Sequence, residues 1–92
     1  MKRCVPLGRI VATPGALAAL ETNNQTASAF LDRHTRGDWG DALDEEDRVA
    51  NDEALRIDER ILSAYYLRNG MKLWIITERD RSVTTLLLPS DY

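Results

Sequence analysis

Helical spacing of apolar residues occupies the first part of the chain and strand-like alternation its last third. A short β-prone run, Ile10-Val11-Ala12, comes first. Thr13-Pro14 follows as an N-cap and first helical position, where proline's missing N–H has no partner to lose. This predicts a short helix over 14–21 that buries Leu17 and Leu20. Thr22-Asn23-Asn24 stops it, because these side chains compete for backbone hydrogen bonds. Thr26 is a second N-cap, and Ala27, Phe30, Leu31 and His34 then fall on one helical stripe. Gly37 sits where a glycine ends a helix, and Gly37-Asp38-Trp39-Gly40 reads as a tight loop with an aromatic anchor. A third helix is expected from Asp44, with Asp44, Glu45, Glu46 and Asp47 at its positive end. Ala50, Ala54 and Ile57 give it a narrow apolar stripe beside Val49, and it ends around 56–59.

The remainder reads as three strands, 60–67, 71–78 and 82–88, with Asn69-Gly70 as a two-residue hairpin loop. Counting from that loop pairs Tyr66 with Leu73 and Tyr65 with Trp74. One face then carries Leu62, Ala64, Tyr66, Leu73, Ile75, Leu86 and Leu88. The other carries Ile61, Tyr65, Trp74, Ile76, Val83 and Leu87. The expected architecture is α+β: short N-terminal helices packed on a C-terminal three-stranded antiparallel meander, with Ile10–Ala12 as a candidate fourth short strand. Both faces of the meander are apolar and the helices suffice for one. The second face is expected to find cover in a homodimer, a partner, or another part of the chain.

Length and composition change this picture little. Ninety-two residues, 43% hydrophobic and 29% charged, fit one globular α+β domain over 1–92. One cysteine, Cys4, allows no internal disulfide, and no Cys/His cluster points to a metal or other cofactor. The basic start of the chain is interrupted by Pro6, Gly8, Arg9 and Pro14, which argues against a signal peptide, and no apolar run is long enough for a bilayer. The cytoplasm is the expected compartment. Charge is more informative. Residues 38–59 hold ten acids against Arg48 and Arg56, a net −8 within a chain total of −3, so the remainder carries +5. The acidic segment argues against nucleic-acid binding through the middle of the chain, and direct nucleic-acid binding by the protein is not expected. It suits either a solvated helix face or a surface that docks on a basic partner.

Several stretches carry a resemblance: Val11-Ala12-Thr13-Pro14-Gly15-Ala16-Leu17, Arg36-Gly37-Asp38-Trp39-Gly40, Asp44-Glu45-Glu46-Asp47, Asn51, Arg60-Ile61-Leu62-Ser63-Ala64-Tyr65, Trp74-Ile75-Ile76-Thr77-Glu78, Asp80-Arg81-Ser82, Thr84-Thr85 and Leu88-Pro89-Ser90-Asp91-Tyr92. Over nearly its whole length the chain resembles a family of small proteins of bacterial plasmids and mobile elements, labelled plasmid-related or type I restriction subunit M. The methyltransferase sense of the second label has no support in the residues. There is no glycine-rich loop for S-adenosylmethionine, no Asn-Pro-Pro-aromatic motif, and too short a chain. The resemblance implies a mobile-element protein without implying an activity.

Candidate chemistry is sparse. His34, the single histidine, reads either as a general base or as a buried residue anchoring its helix to the sheet. Arg79-Asp80-Arg81-Ser82, with Thr84 and Thr85 behind it, could hold a phosphate or carboxylate; it also reads as a turn in which Asp80 caps its own backbone. Trp39 is a candidate interface anchor or the lid of a small core. Tyr65 and Trp74 read as a cross-strand pair in the core or a dimer interface, with a nucleic-acid stacking platform as the lesser alternative. Two functions follow. One is a non-catalytic accessory protein acting by protein–protein interaction, such as an inhibitor of a nucleic-acid-binding host defence system of the anti-restriction or anti-CRISPR kind. Its binding residues would be Trp39, Asp44, Glu45, Glu46, Asp47, Arg79, Asp80 and Arg81. The alternative is a toxin-type ribonuclease with a helix-plus-sheet fold of the barnase or RelE kind, using His34 as base and Arg79, Arg81 and Thr85 around the phosphate.

Overall fold

The computed structural model describes residues 4–92. Strand β1 (Arg9–Ala12) leads into helices α1 (Pro14–Thr22), α2 (Ala27–Thr35) and α3 (Glu45–Ile57). Strands β2 (Ile61–Tyr66), β3 (Lys72–Thr77) and β4 (Val83–Leu87) follow, and a single 3-10 turn, Pro89–Asp91, ends the chain. The expected α+β class, the three helices and the antiparallel order β2-β3-β4 are all present. The candidate fourth strand is present too. β1 lies parallel to β4, giving a mixed sheet in the order β1-β4-β3-β2.

The helix starts follow the sequence. Thr13, Thr26 and Asp44 each stand in extended backbone and accept a hydrogen bond from the N–H three residues on. Two stripes differ from expectation. On α1 it is Ala16, Ala19 and Leu20 that are buried, while Leu17 stays 54% exposed. The small alanines let the helix lie close on the sheet. On α3 the buried residues are Asn51 and Ala54, and Val49 and Ile57 are exposed. That helix turns a polar residue inward because the edge of the sheet, not its face, is what it covers.

The hairpin register is displaced by one residue. Tyr65 pairs with Leu73 and Tyr66 with Lys72. The loop has three residues, closed by the Leu67 N–H on the Met71 carbonyl and the Gly70 N–H on the Leu67 carbonyl. Gly70 has φ +88° but Asn69 is not left-handed. A two-residue type I′ loop needs positive φ at both positions; one left-handed glycine gives the bulged three-residue form. The α1–α2 connection holds this conformation. Asn23 Oδ1 accepts from the Asn69 N–H and Gln25 Oε1 from the Arg68 N–H.

A one-residue slip turns a strand over. β3 and β4 keep the expected relation, but β2 is inverted. The helix-covered face carries Ile61, Ser63, Tyr65, Leu73, Ile75, Thr77, Thr84 and Leu86, with Phe30, Leu20, Ala16 and Ala19 against it. The opposite face carries Leu62, Ala64, Tyr66, Trp74, Ile76, Val83, Thr85 and Leu87. Tyr65 and Trp74 therefore lie on opposite sides of the sheet. Tyr65 is fully buried beside Phe30, whereas Trp74 is only half-buried.

The outer edge of β2 is closed at Leu62 and Ala64. The Asn51 side-chain amide donates to the Leu62 carbonyl at 2.6 Å, and its oxygen accepts from the Leu62 N–H at 3.2 Å. One amide thus stands in for one residue of a neighbouring strand. Next along, the loop after α2 takes both groups of Ala64: its N–H donates to the Trp39 carbonyl, and its carbonyl accepts from the Ala42 N–H. Gly40 permits this approach. Its φ is +90°, and a Cβ there would collide with the Ala64 carbonyl and the Tyr65 ring. Asn51→Ala should lower the unfolding free energy by about 1–3 kcal/mol, since it strands two backbone groups. Urea titration measures this, and a midpoint equal to that of the parent chain would show that the amide does not seal the edge.

Candidate functional site

The polar groups at the centre of the molecule form one line. α2 delivers His34 onto the covered face of the sheet, where it is completely buried. Its Nδ1 lies 2.5 Å from the Ser63 hydroxyl on β2 and its Nε2 2.8 Å from the Thr77 hydroxyl on β3. Thr77 lies 2.7 Å from the Thr84 hydroxyl on β4, and Thr84 donates to the Leu7 carbonyl at 2.7 Å. Ser63, Thr77 and Thr84 are as buried as the histidine.

The direction of every proton in this line follows from its last member. A carbonyl only accepts, so Thr84 donates to Leu7 and must accept from Thr77. Thr77 then accepts from His34, which fixes the Nε2–H tautomer, and Ser63 donates to the bare Nδ1. Burial, with a lesser contribution from the Arg81 charge, lowers the imidazole pKa from 6.5 to about 4. The Trp39 ring meets it edge-on at 5.9 Å. Both nitrogens are thus committed inside the protein, as the anchoring reading expects.

No other residue of the ribonuclease constellation contacts His34, although Arg81 is near enough for its charge to act on the imidazole. Thr85 follows Thr84 on its strand and so points to the opposite face. Arg79 is exposed and faces Glu59 at 3.7 Å. Arg81, at φ +61°, turns its guanidinium inward to the end of α3, donating to the carbonyls of Glu59, Glu78 and Ala54. Its two terminal nitrogens are thus taken by backbone carbonyls, that of Ala54 in the last turn of α3. Asp80 accepts from the Ser82 N–H and hydroxyl, which hold its carboxyl below the usual range. The Arg79–Ser82 segment is therefore the self-capped turn, with one arginine outside and one inside.

Trp39 is 5% exposed and packs with Val5, Ala54 and Ile61, its indole N–H donating to Asp52 at 2.9 Å. It closes a core and does not project as an anchor. The acids divide differently. All ten in 38–59 are exposed. Asp38, Asp41, Glu53, Asp58 and Glu59 face arginines. Asp44, Glu45, Glu46 and Asp47, at the start of α3, make no ion pair with the described residues.

The second face of the sheet has cover from within the chain: its Ala64, Ile76 and Leu87 are buried. Tyr92 folds back over it, its ring 5.7 Å from that of Trp74 and edge-on, and Arg60 lies 5.2 Å above the Tyr92 ring. A groove of about 280 Å³ runs between Asn51, Arg60, Leu62, Trp74, Ile76 and Tyr92. Asp91 fixes this tail by accepting from the Leu88 N–H and the Thr13 hydroxyl. The observed register puts Tyr66 in place of Tyr65 beside Trp74 on this face.

Among the described residues no cluster of His, Cys, Asp or Glu is arranged to hold a metal ion, and no helix is long and apolar enough to cross a membrane. No protein-family model, curated protein or solved structure matches the chain.

The His34 line sets a pH dependence. Unfolded, the imidazole gains a proton below about pH 6.5; folded, it resists until about pH 4. Its contribution to stability is complete above 6.5 and is lost as the pH falls toward 4, up to about 3 kcal/mol. With one histidine in the chain, imidazole NMR shifts report it alone. They should stay in the neutral Nε2–H form through pH 5; a folded-state midpoint near 6.5 would contradict this geometry.

Proposed function

We propose that this is a non-catalytic accessory protein of a mobile element, acting in the cytoplasm by protein–protein contact. The observation that carries this reading is the exposed acidic start of α3. Asp44, Glu45, Glu46 and Asp47 stand on a rigid helix without cationic partners among the described residues, a charge density suited to a basic surface. A basic groove that normally holds a nucleic-acid backbone, as in a restriction or CRISPR effector, is the fitting counterpart, with the carboxylates replacing phosphates. The resemblance to plasmid and mobile-element proteins supports that setting. The burial of His34 and the inward turn of Arg81 favour binding over the ribonuclease alternative.

Affinity purification from host cells tests it, comparing the parent chain with a Glu45→Lys, Glu46→Lys, Asp47→Lys variant. The parent should retain a discrete nucleic-acid-binding protein that added duplex DNA releases, and the reversed chain should lose it. Equal retention by both chains, or retention indifferent to DNA, would overturn the reading.

A further inference from the structure

The second face of the sheet buries Ala64, Ile76 and Leu87, and what it presents to solvent is flat rings with positive charge. Tyr66 on β2 is 51% exposed, Trp74 on β3 is half-buried, and Tyr92 is 71% exposed over the same face. Lys72 stands directly opposite Tyr66, Arg9 lies on β1 in register with Val83 of this face, and Arg60 covers Tyr92. All three cations are exposed. Arg60 approaches Glu78 at 3.9 Å, while Arg9 and Lys72 form no ion pair with the described residues. Glu78 is the one acid that strand alternation assigns to this face. The ten acids of 38–59 belong to the loop and helix flanking the β2 edge, so the chain's net negative charge does not describe this surface.

We infer that this face binds single-stranded nucleic acid, with Tyr66, Trp74 and Tyr92 stacking on bases and Arg9, Arg60 and Lys72 meeting the phosphates. Rings on a sheet satisfy bases of any sequence, and a strand supplies both the flat apolar surface and the negative charge that this face lacks. The groove beside Trp74 takes a group the size of one base rather than an extended cofactor. A second copy of the chain is the weaker occupant. Two-fold pairing of these faces would press two sets of Arg9, Arg60 and Lys72 into one layer with only Glu78 to offset each set. A duplex fits poorly as well, because its base faces are already stacked. This surface is distinct from the acidic start of α3 and does not depend on the function proposed there.

Fluorescence anisotropy of a labelled oligothymidylate, titrated with the full chain, provides the test. Binding should fall in the range of about 1–100 µM at moderate salt, with a log–log salt slope near about −2 for three phosphate contacts. Trp74 emission should be quenched on binding. Tyr66→Ala and Lys72→Glu change exposed side chains and preserve the core, which circular dichroism verifies. Each should weaken binding, Tyr66→Ala by about tenfold. Asp32→Asn, an exposed change on α2, should leave it unaltered. The inference is overturned by any of three results: no binding at about 100 µM, binding that Tyr66→Ala and Lys72→Glu leave intact, or equal binding of duplex. Light scattering covers the remaining occupant. A dimer mass that Tyr66→Ala abolishes would assign the face to self-association instead.

Discussion

An imidazole at the centre of a small sheet constrains everything around it. A buried histidine with an unsatisfied nitrogen would carry a desolvation penalty that a 92-residue chain can barely tolerate. The same holds for Ser63, Thr77 and Thr84. Each is acceptable only because the next member of the line is in place, and the line ends on the Leu7 carbonyl, ahead of β1. One helix, three strands and the N-terminal segment are therefore mutually conditional. A partly assembled sheet would leave polar groups buried and unpaired, which favours an all-or-none fold over a loosely packed one.

The sequence was most legible where one residue type answers one local need. Thr13, Thr26 and Asp44 cap their helices through their own side chains, and Phe30 and His34 share a stripe that spacing alone reveals. The hairpin was visible but its register was not. Asn69-Gly70 permits both loop forms, and the choice is made by Asn23 and Gln25, more than forty residues away in sequence. Counting outward from the wrong loop inverted β2 and exchanged Tyr65 with Tyr66. The apolar second face was correctly anticipated, but its membership was wrong, and with it the aromatic pair.

Other misreadings have a common cause. Asn51 looks like a surface residue on an acidic helix, and Arg81 like a free cation in a turn. Both serve unpaired backbone groups, of an edge strand and of a helix end, that exist only once the chain has folded. Sequence patterns register apolar burial well, because hydrophobicity is a property of the residue. They register backbone satisfaction poorly, because the need belongs to another part of the chain. A clue lay in α3 itself: an expected stripe of only Ala50, Ala54 and Ile57 is too slight to hold thirteen residues in place.

The two borders of the sheet are treated unequally, and this governs how the sheet can grow. Along β2 the outward groups of Leu62 and Ala64 are taken by Asn51 and by the loop after α2. Along β1, a strand of four residues, no hydrogen bond among the described residues uses the outer side. A sheet open on both sides can add copies without end, as fibrils do. With one border sealed, strand pairing between copies stops at two, because the second copy presents its own sealed border to the solution. Closure of β2 therefore limits the sheet's assembly to a finite object, whatever its faces bind.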